Sequence, residues 1–144
     1  PVCIMHMQGL PENMQDRPDY GDVVAEVRGA LEKAATSLFE AGVDPSVVIA
    51  DPGIGFGKTT RHNLELLAGL DVLVDTGWPV IVGASRKRFL GELTAASDGL
   101  DGLTLPDDRR EASVAVATWA FRSGVQIMRA HDVRSTVQAA QVVG

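Results

Sequence analysis

The sequence lacks most features that mark secreted, membrane or nucleic-acid-binding proteins. Its 144 residues include one cysteine, Cys3, so no disulfide can form within the chain. Together with the lack of a signal peptide, this favours a reducing cytoplasm. No apolar run approaches the roughly 20 residues that cross a bilayer. The net charge of −6 argues against electrostatic binding to nucleic acid or acidic lipid, but it does not exclude a local anion pocket.

The sequence also lacks an initiator methionine and opens PVCIMHM, already inside an apolar run. We interpret this start as a cut, proteolytic or engineered, and expect a missing segment before it. The composition predicts one packed globular core, since 45% of the residues are hydrophobic and the mean hydropathy is +0.07.

Four short apolar runs, mostly β-branched, predict four strands buried on both faces, as in a parallel sheet. They are VCIM at 2–5, VVIA at 47–50, VIVGA at 80–84 and VQIM at 125–128. Helices are predicted at 22–41, from near Thr60 through Leu67, from Asp108 towards Arg122, and at 134–143. Asp108 and Glu111 are predicted to form a capping-box-like pair, and residues 94–106 a mobile loop.

This alternation predicts an α/β fold with right-handed crossovers. A complete (β/α)8 barrel takes about 250 residues, so the chain is either about half a barrel or a small open sheet. The missing start favours half of a (β/α)8 TIM barrel, with about four parallel βα units in a single domain over residues 1–144.

Each apolar run ends in a polar cluster, and parallel strands place all these clusters on one rim. The clusters are HMQG at 6–9, DPG at 51–53, SRK at 85–87 and RAHD at 129–132. Arg129 and His131 lie two apart at a strand end, so both side chains point the same way and form a receptor for phosphate or pyrophosphate. The alternative is a structural salt bridge with Asp132 or a neighbouring carboxylate.

The basic residues near this rim have competing interpretations. Lys87 is expected to reach the rim as a ligand residue, with Arg86 and Arg88 pointing outwards; a solvated basic face is the alternative. For Lys58 a solvated side chain is at least equally favoured. His6 is more typical of a core histidine than of a catalytic one.

The stretch DPGIGFGK at 51–58 resembles a phosphate loop but misses both known patterns by one residue. Pro52 replaces the first glycine of the Walker pattern, and Lys58 replaces the third glycine of the dinucleotide pattern. Asp51 would also repel phosphates. A carboxylate there suits an amino-heterocycle with adjacent ring N–H and amino groups, unless it is only a helix or turn cap. Met5 and Met7 are expected to be packing residues. The alternative is that one of them lines a pocket for a flat ring.

Four stretches together resemble the bacterial dihydropteroate synthase family of pterin-binding enzymes. They are MHMQGLPENMQ at 5–15, DPGIGFGKTTRHN at 51–63, GASRKRFLG at 83–91 and RAHDV at 129–133. The likeness covers essentially the whole chain and matches the C-terminal half of the family's barrel. It departs from the family pattern at Ala130, where a larger aliphatic residue is more usual, and in lacking the N-terminal half.

The resemblance implies that 6-hydroxymethyl-7,8-dihydropterin pyrophosphate is joined to p-aminobenzoate, giving dihydropteroate and pyrophosphate, with sulfonamides as competitors. It implies no protein nucleophile, and Mg²⁺ on the pyrophosphate with its protein ligand in the missing half. It also implies a cytoplasmic homodimer of the full-length enzyme. The isolated chain is expected to be weakly active or inactive unless a second polypeptide completes it.

The resemblance also implies a role for each matching residue. Asp51 would bind the pterin's ring N–H and amino groups, and Met5 and Gly83 would line the pterin slot. Lys87 would contact the pterin and the p-aminobenzoate region.

Phe56 and the backbone around Arg88 would help to hold p-aminobenzoate, and Arg129 and His131 would hold the departing pyrophosphate. Lys87, Arg129 and His131 would carry the catalysis. The main alternative is a non-catalytic or methyltransferase-type pterin-binding module, which would keep the Asp51 chemistry and lose the pyrophosphate clamp. A nucleotidase is disfavoured by Pro52 and Asp51, and a purely structural fragment is the last alternative.

Overall fold

The computed structural model describes all 144 residues as four short strands that alternate with helices. The strands are β1 Val2–Met5, β2 Val48–Asp51, β3 Ile81–Val82 and β4 Ile127–Met128. The helices are α1 Val23–Glu40, α2 Thr60–Ala68, α3 Leu70–Val74, α4 Arg88–Ser97, α5 Arg110–Arg122 and α6 Val133–Val143. Two 3₁₀ turns cover Pro45–Val47 and Pro106–Arg109.

All strand pairs are parallel, which confirms the predicted α/β class. β1 pairs with β2 and β3 with β4, and one bridge between Ala50 and Val80 joins the two pairs. The strands therefore stand side by side in chain order, and their C-terminal ends meet along one edge. β3 and β4 are shorter than predicted, although Arg129 N still donates to Val82 O beyond them at 3.0 Å.

The core forms where α1 packs over the strands. Val23, Val27, Leu31 and Ala35 recur every four residues and make one fully buried stripe along α1. Asp22 caps the helix by accepting from the N–H groups of Val24 and Ala25, which explains why α1 lies almost where the sequence predicts it. No helix combines the length and the apolar character needed to span a membrane.

Two helices were not predicted, and one predicted cap is wrong. α3 was missed, and α4 occupies the start of the predicted loop, because Gly91 and Thr94 weaken its helical signal although Phe89 and Leu90 are buried. The capping box at Asp108 is absent. Pro106 starts a 3₁₀ turn that contains Asp108, and α5 then begins without a side-chain cap.

The core can be tested at Leu66, which is fully buried on α2, against Leu64 on the same helix, which is 43% exposed. Leu66→Ala is expected to lower the free energy of unfolding by about 2–5 kcal/mol, because it leaves a cavity. Leu64→Ala is expected to cost about 0.5 kcal/mol or less. Urea unfolding followed by circular dichroism measures both. Equal effects of the two substitutions would contradict the packing described above.

Candidate active site

The C-terminal ends of the strands bring the four polar clusters together. Met5, the last residue of β1, pairs with Asp51, the last residue of β2, and His6 N donates to Asp51 O at 3.0 Å. Lys87 follows β3, and Arg129 follows β4. The charges of Lys87 and Arg129 act on the Asp51 carboxylate, so clusters that are distant in sequence form one rim.

Asp51 is half-buried, and only one of its carboxylate oxygens has a partner. Oδ1 accepts from Gly53 N at 2.7 Å, while Oδ2 makes no hydrogen bond within the chain. The predicted turn cap therefore exists but occupies half of the carboxylate. Burial raises the pKa of Asp51, and the Gly53 N–H and the charges of Lys87, Arg129 and Lys58 oppose that rise.

The loop after β2 packs its backbone directly against the segment after β1. Gly53 has a φ of +66°, and a Cβ on it would lie 1.8 Å from His6 O. Gly57 has a φ of +60°, and a Cβ there would lie 2.5 Å from Gln8 O. Both the left-handed backbone and the close approach require glycine. The glycines that suggest a phosphate loop therefore serve this contact.

Three N–H groups of the loop, at positions 53, 55 and 56, are used internally, which argues against a phosphate cradle. Gly53 N donates to Asp51, Gly55 N donates to Asn63 Oδ1 at 2.7 Å, and Phe56 N donates to Gly53 O at 3.0 Å. A nucleotide loop needs such groups pointing at the phosphates.

The carbonyls of residues 53 to 57 each accept a hydrogen bond from a side chain. Gly53 O and Phe56 O accept from Lys58, Ile54 O from Lys87, Gly55 O from Gln15 and Gly57 O from the Tyr20 hydroxyl. Buried carbonyls without such partners would be costly, so the donors hold the loop in one shape.

The solvated interpretation of Lys58 is wrong, because the residue is only 3% exposed. Its Nζ donates to His6 Nδ1 at 2.9 Å as well as to the two loop carbonyls. Burial lowers the pKa of Lys58 to about 8. Burial, and then the Lys58 charge, lower the pKa of His6 to about 4, so His6 is neutral at pH 7 and carries its proton on Nε2.

Lys87 lies at the rim, as predicted, between Asp51 and the aromatic ring of Phe56. Its Nζ is 4.4 Å from the ring centroid, in cation–π geometry, and also donates to Ile54 O. Burial lowers the pKa of Lys87 to about 8, while Asp51 opposes that shift. A Cβ on Gly55 would lie 2.9 Å from Lys87 Cδ, so this glycine makes room for the lysine stem.

Arg86 does not point outwards as predicted. Its guanidinium binds Asp132 at 3.2 Å and also contacts Asp107, and its backbone has a φ of +58°. Three long-range contacts hold that left-handed backbone, so local sequence could not have revealed it. Arg88, by contrast, is exposed and pairs with Glu92 at 3.0 Å, as an outward residue should.

Arg129 and His131 lie at the end of β4 with their side chains free of carboxylates. The guanidinium of Arg129 lies over Gly83, where a Cβ would be 2.9 Å from Nη2, and it has no hydrogen-bond or ion-pair partner in the chain. His131 Nδ1 is 3.0 Å from Ser85 Oγ. Asp132 pairs with Arg86 and Arg110 instead, so the predicted salt-bridge alternative does not occur.

A cavity of about 610 Å³ lies beside this rim. Phe56, Lys87 and Arg88 line it, together with residues of α2 and of the segment after β1. Asp51, Arg129 and His131 are outside its lining, and Met5 is 44% exposed near Asp51. The rim therefore has two parts, a half-open cavity and an exposed carboxylate–cation face, with Lys87 between them.

Sequence reasoning missed several residues of this site. Gln15 and Tyr20 reach the loop across 40 and 37 residues of sequence, and no local pattern predicts such a contact. Ser85, by contrast, belongs to the cluster SRK at 85–87 that the sequence places on the rim, although its contact with His131 was not predicted.

Comparisons with known proteins match the chain to one family and one fold. The model of the family described as pterin binding enzyme matches residues 1–131. The chain is 47% identical to the dihydropteroate synthase of Mycobacterium leprae (strain TN) over 142 residues, covering 98% of this chain and 49% of that protein.

Solved structures give the same result. The Yersinia pestis dihydropteroate synthase crystal structure with a sulfonamide drug complex has a TM-score of 0.92 at 40% identity, over 99% of this chain and 49% of that one. The Xanthomonas albilineans enzyme in complex with 7,8-dihydropteroate has a TM-score of 0.86 at 42% identity, over 99% and 48%. The chain thus spans about half the length of the relatives it matches.

The burial of His6 predicts a pH dependence of stability. The pKa is about 4 in the folded chain and 6.5 ordinarily, so below pH 6.5 the unfolded chain takes up the proton first. The free energy of unfolding should therefore fall as the pH drops from 6.5 towards 4. His6→Asn keeps an acceptor for Lys58 but does not titrate, and it should show a weaker fall. Urea unfolding at pH 7 and pH 5 compares the two; equal losses, with an NMR midpoint of His6 near 6.5, would refute the prediction.

Proposed function

The chain belongs to the pterin-binding enzyme family, and on that premise we propose that it is the C-terminal half of a dihydropteroate synthase. Residues 1–144 would form one domain, half of a (β/α)8 TIM barrel with four parallel βα units. The complete enzyme would join 6-hydroxymethyl-7,8-dihydropterin pyrophosphate to p-aminobenzoate, giving 7,8-dihydropteroate and pyrophosphate. Four parallel strands in chain order, and relatives twice as long, support this proposal.

The observation that carries the proposal is the half-satisfied carboxylate of Asp51. Its Oδ2 has no partner, and the backbone bond from Gly53 fixes its direction. A carboxylate held in this way would accept two parallel N–H bonds from the ring N–H and amino group of a pterin, one at Oδ2 and one at the remaining lone pair of Oδ1. Met5, which pairs with Asp51 on the neighbouring strand, and Gly83, which follows β3, would line the flat slot.

The pyrophosphate would lie at the end of β4. Arg129 has a free guanidinium fork, which suits two phosphate oxygens, and the small Gly83 lets it lie close to the strand. His131, oriented by Ser85, would donate a second bond. These charge-assisted bonds would strengthen as the leaving pyrophosphate gains charge.

The p-aminobenzoate would occupy the cavity beside Phe56, Lys87 and the backbone around Arg88. Lys87 lies between this cavity and Asp51, so it would touch both substrates. The amine nitrogen would form its bond to the exocyclic methylene carbon as the bond to pyrophosphate breaks, and its extra proton would pass to water. The protein would supply positioning and charge rather than a nucleophile.

The expected Mg²⁺ has no ligand set on this chain. No group of three or more His, Cys, Asp or Glu residues is arranged to hold a metal ion. Asp51 is surrounded by cations, and Asp132 is taken by Arg86 and Arg110. No step proposed here passes through a metal; a protein ligand for it would come from outside residues 1–144.

A methyltransferase-type pterin module would not need the free Arg129 fork beside His131, so the synthase is favoured. A homodimer of the full-length enzyme, sulfonamide sensitivity and a cytoplasmic location stay predictions. The low activity of the isolated chain also stays a prediction.

Two substitutions should separate the two halves of the proposed site. Asp51→Asn is expected to weaken binding of dihydropterin pyrophosphate roughly 10- to 100-fold, the value of a hydrogen bond to a charged group. The same substitution should not weaken binding of inorganic pyrophosphate, because it removes a negative charge. Arg129→Ala should weaken pyrophosphate binding roughly 10- to 100-fold. Isothermal calorimetry on the 144-residue chain measures each constant.

Asp75→Asn, on the exposed surface, and Arg28→Ala, on α1, are the matched controls. Both should leave the two affinities within about twofold of the wild-type values. The proposal fails if wild-type chain binds neither ligand. It also fails if Asp51→Asn keeps full affinity for the pterin, or if Arg129→Ala keeps full affinity for pyrophosphate.

A further inference from the structure

Lys58 is the most deeply buried charged residue next to the proposed pterin site, and it has no role in the proposed reaction. Only 3% of its surface is exposed, and its Nζ lies within hydrogen-bond distance of three acceptors. Gly53 O and Phe56 O belong to the loop after β2, both at 3.0 Å, and His6 Nδ1 belongs to the segment after β1, at 2.9 Å.

The number of acceptors matches the number of protons on a charged lysine. An ammonium has three N–H donors and no acceptor, so all three acceptors are satisfied at once. A hydrophobic side chain of similar length would leave the buried Gly53 carbonyl, the part-buried Phe56 carbonyl and one ring nitrogen without this partner, each at a cost. Four groups face this ammonium from the surrounding elements: neutral His6, the Tyr20 ring at 5.9 Å, Asp51 and Lys87.

The two carbonyls that Lys58 holds lie beside the groups that the pterin site uses. Gly53 is the residue whose N–H fixes Asp51 Oδ1, and Phe56 carries the ring that packs under Lys87. Movement of the loop at either point would therefore turn the Asp51 carboxylate or shift the Phe56 ring.

We propose that Lys58 is a positioning residue of the pterin site. Its buried ammonium joins the loop after β2 to the end of β1 by hydrogen bonds and so fixes the direction of the Asp51 carboxylate. This inference rests on the proposed function, since it assigns Lys58 to a pterin site. Lys58 acts through Asp51 and Phe56 and does not itself touch the reacting atoms.

The test compares Lys58→Met with Lys33→Met, an exposed lysine on α1 that serves as the matched control. Calorimetry on the 144-residue chain uses two probes, 6-hydroxymethyl-7,8-dihydropterin and inorganic pyrophosphate. Lys58→Met should weaken dihydropterin binding by roughly tenfold or more and pyrophosphate binding by less than about twofold. Amides of residues 53–57 should exchange with deuterium faster, while those of α1 and α5 should not. Lys33→Met should change nothing.

Lys58→Arg is the conservative variant, because it keeps a cation with several N–H donors. Lys58 borders the cavity, so the longer arginine side chain has room there. It should bind dihydropterin with an affinity within about threefold of the wild-type value. If Lys58→Met does not fold, Lys58→Arg provides the test of the positioning role. The inference is overturned if folded Lys58→Met keeps wild-type dihydropterin affinity. It is equally overturned if either variant loses both probes alike, which is the behaviour of a merely structural residue. If wild type binds no dihydropterin, the proposed function fails and this inference fails with it.

Discussion

The site depends on one constraint: the carbonyls of residues 53 to 57, in a loop that is partly to fully buried, each accept a hydrogen bond from a side chain. Left-handed glycines bring this loop against the segment after β1. Side chains from three parts of the chain then supply the donors, namely Gln15 and Tyr20 after β1, Lys58 at the end of the loop, and Lys87 after β3. Because the same bonds join these segments, loop shape and rim geometry are set together.

The charge around the rim is opposite in sign to the net charge of the whole molecule. The chain has a net charge of −6, yet the Asp51 carboxylate is surrounded by the charges of Lys58, Lys87 and Arg129. Burial raises the pKa of Asp51 and lowers that of both lysines, while their mutual attraction opposes each shift. A carboxylate and a guanidinium fork of opposite charge can therefore lie on one rim.

The strands and the converging clusters could be predicted from sequence, because short β-branched runs are typical of parallel strands and parallel order alone fixes which ends meet. The predicted burial on both faces is wrong for β1, which is mostly exposed because it lies at the edge of the sheet with only β2 beside it. Helix α1 could also be predicted, since Asp22 caps it and its apolar residues recur regularly. Lys58 and Arg86 could not. Each resembles a solvated cation locally, and its contact with a residue far along the chain, His6 for the buried Lys58 and Asp132 for the partly exposed Arg86, leaves no local sequence signal.

The central claim is that the loop presents Asp51 as a carboxylate to a pterin. The most direct test is a ¹³C NMR titration of the Asp51 carboxyl carbon with and without 6-hydroxymethyl-7,8-dihydropterin. Bound N–H donors stabilise the charged form, so the pKa of Asp51, raised by burial in the free chain, should fall when the pterin is bound. An unchanged pKa at saturating pterin would contradict the claim.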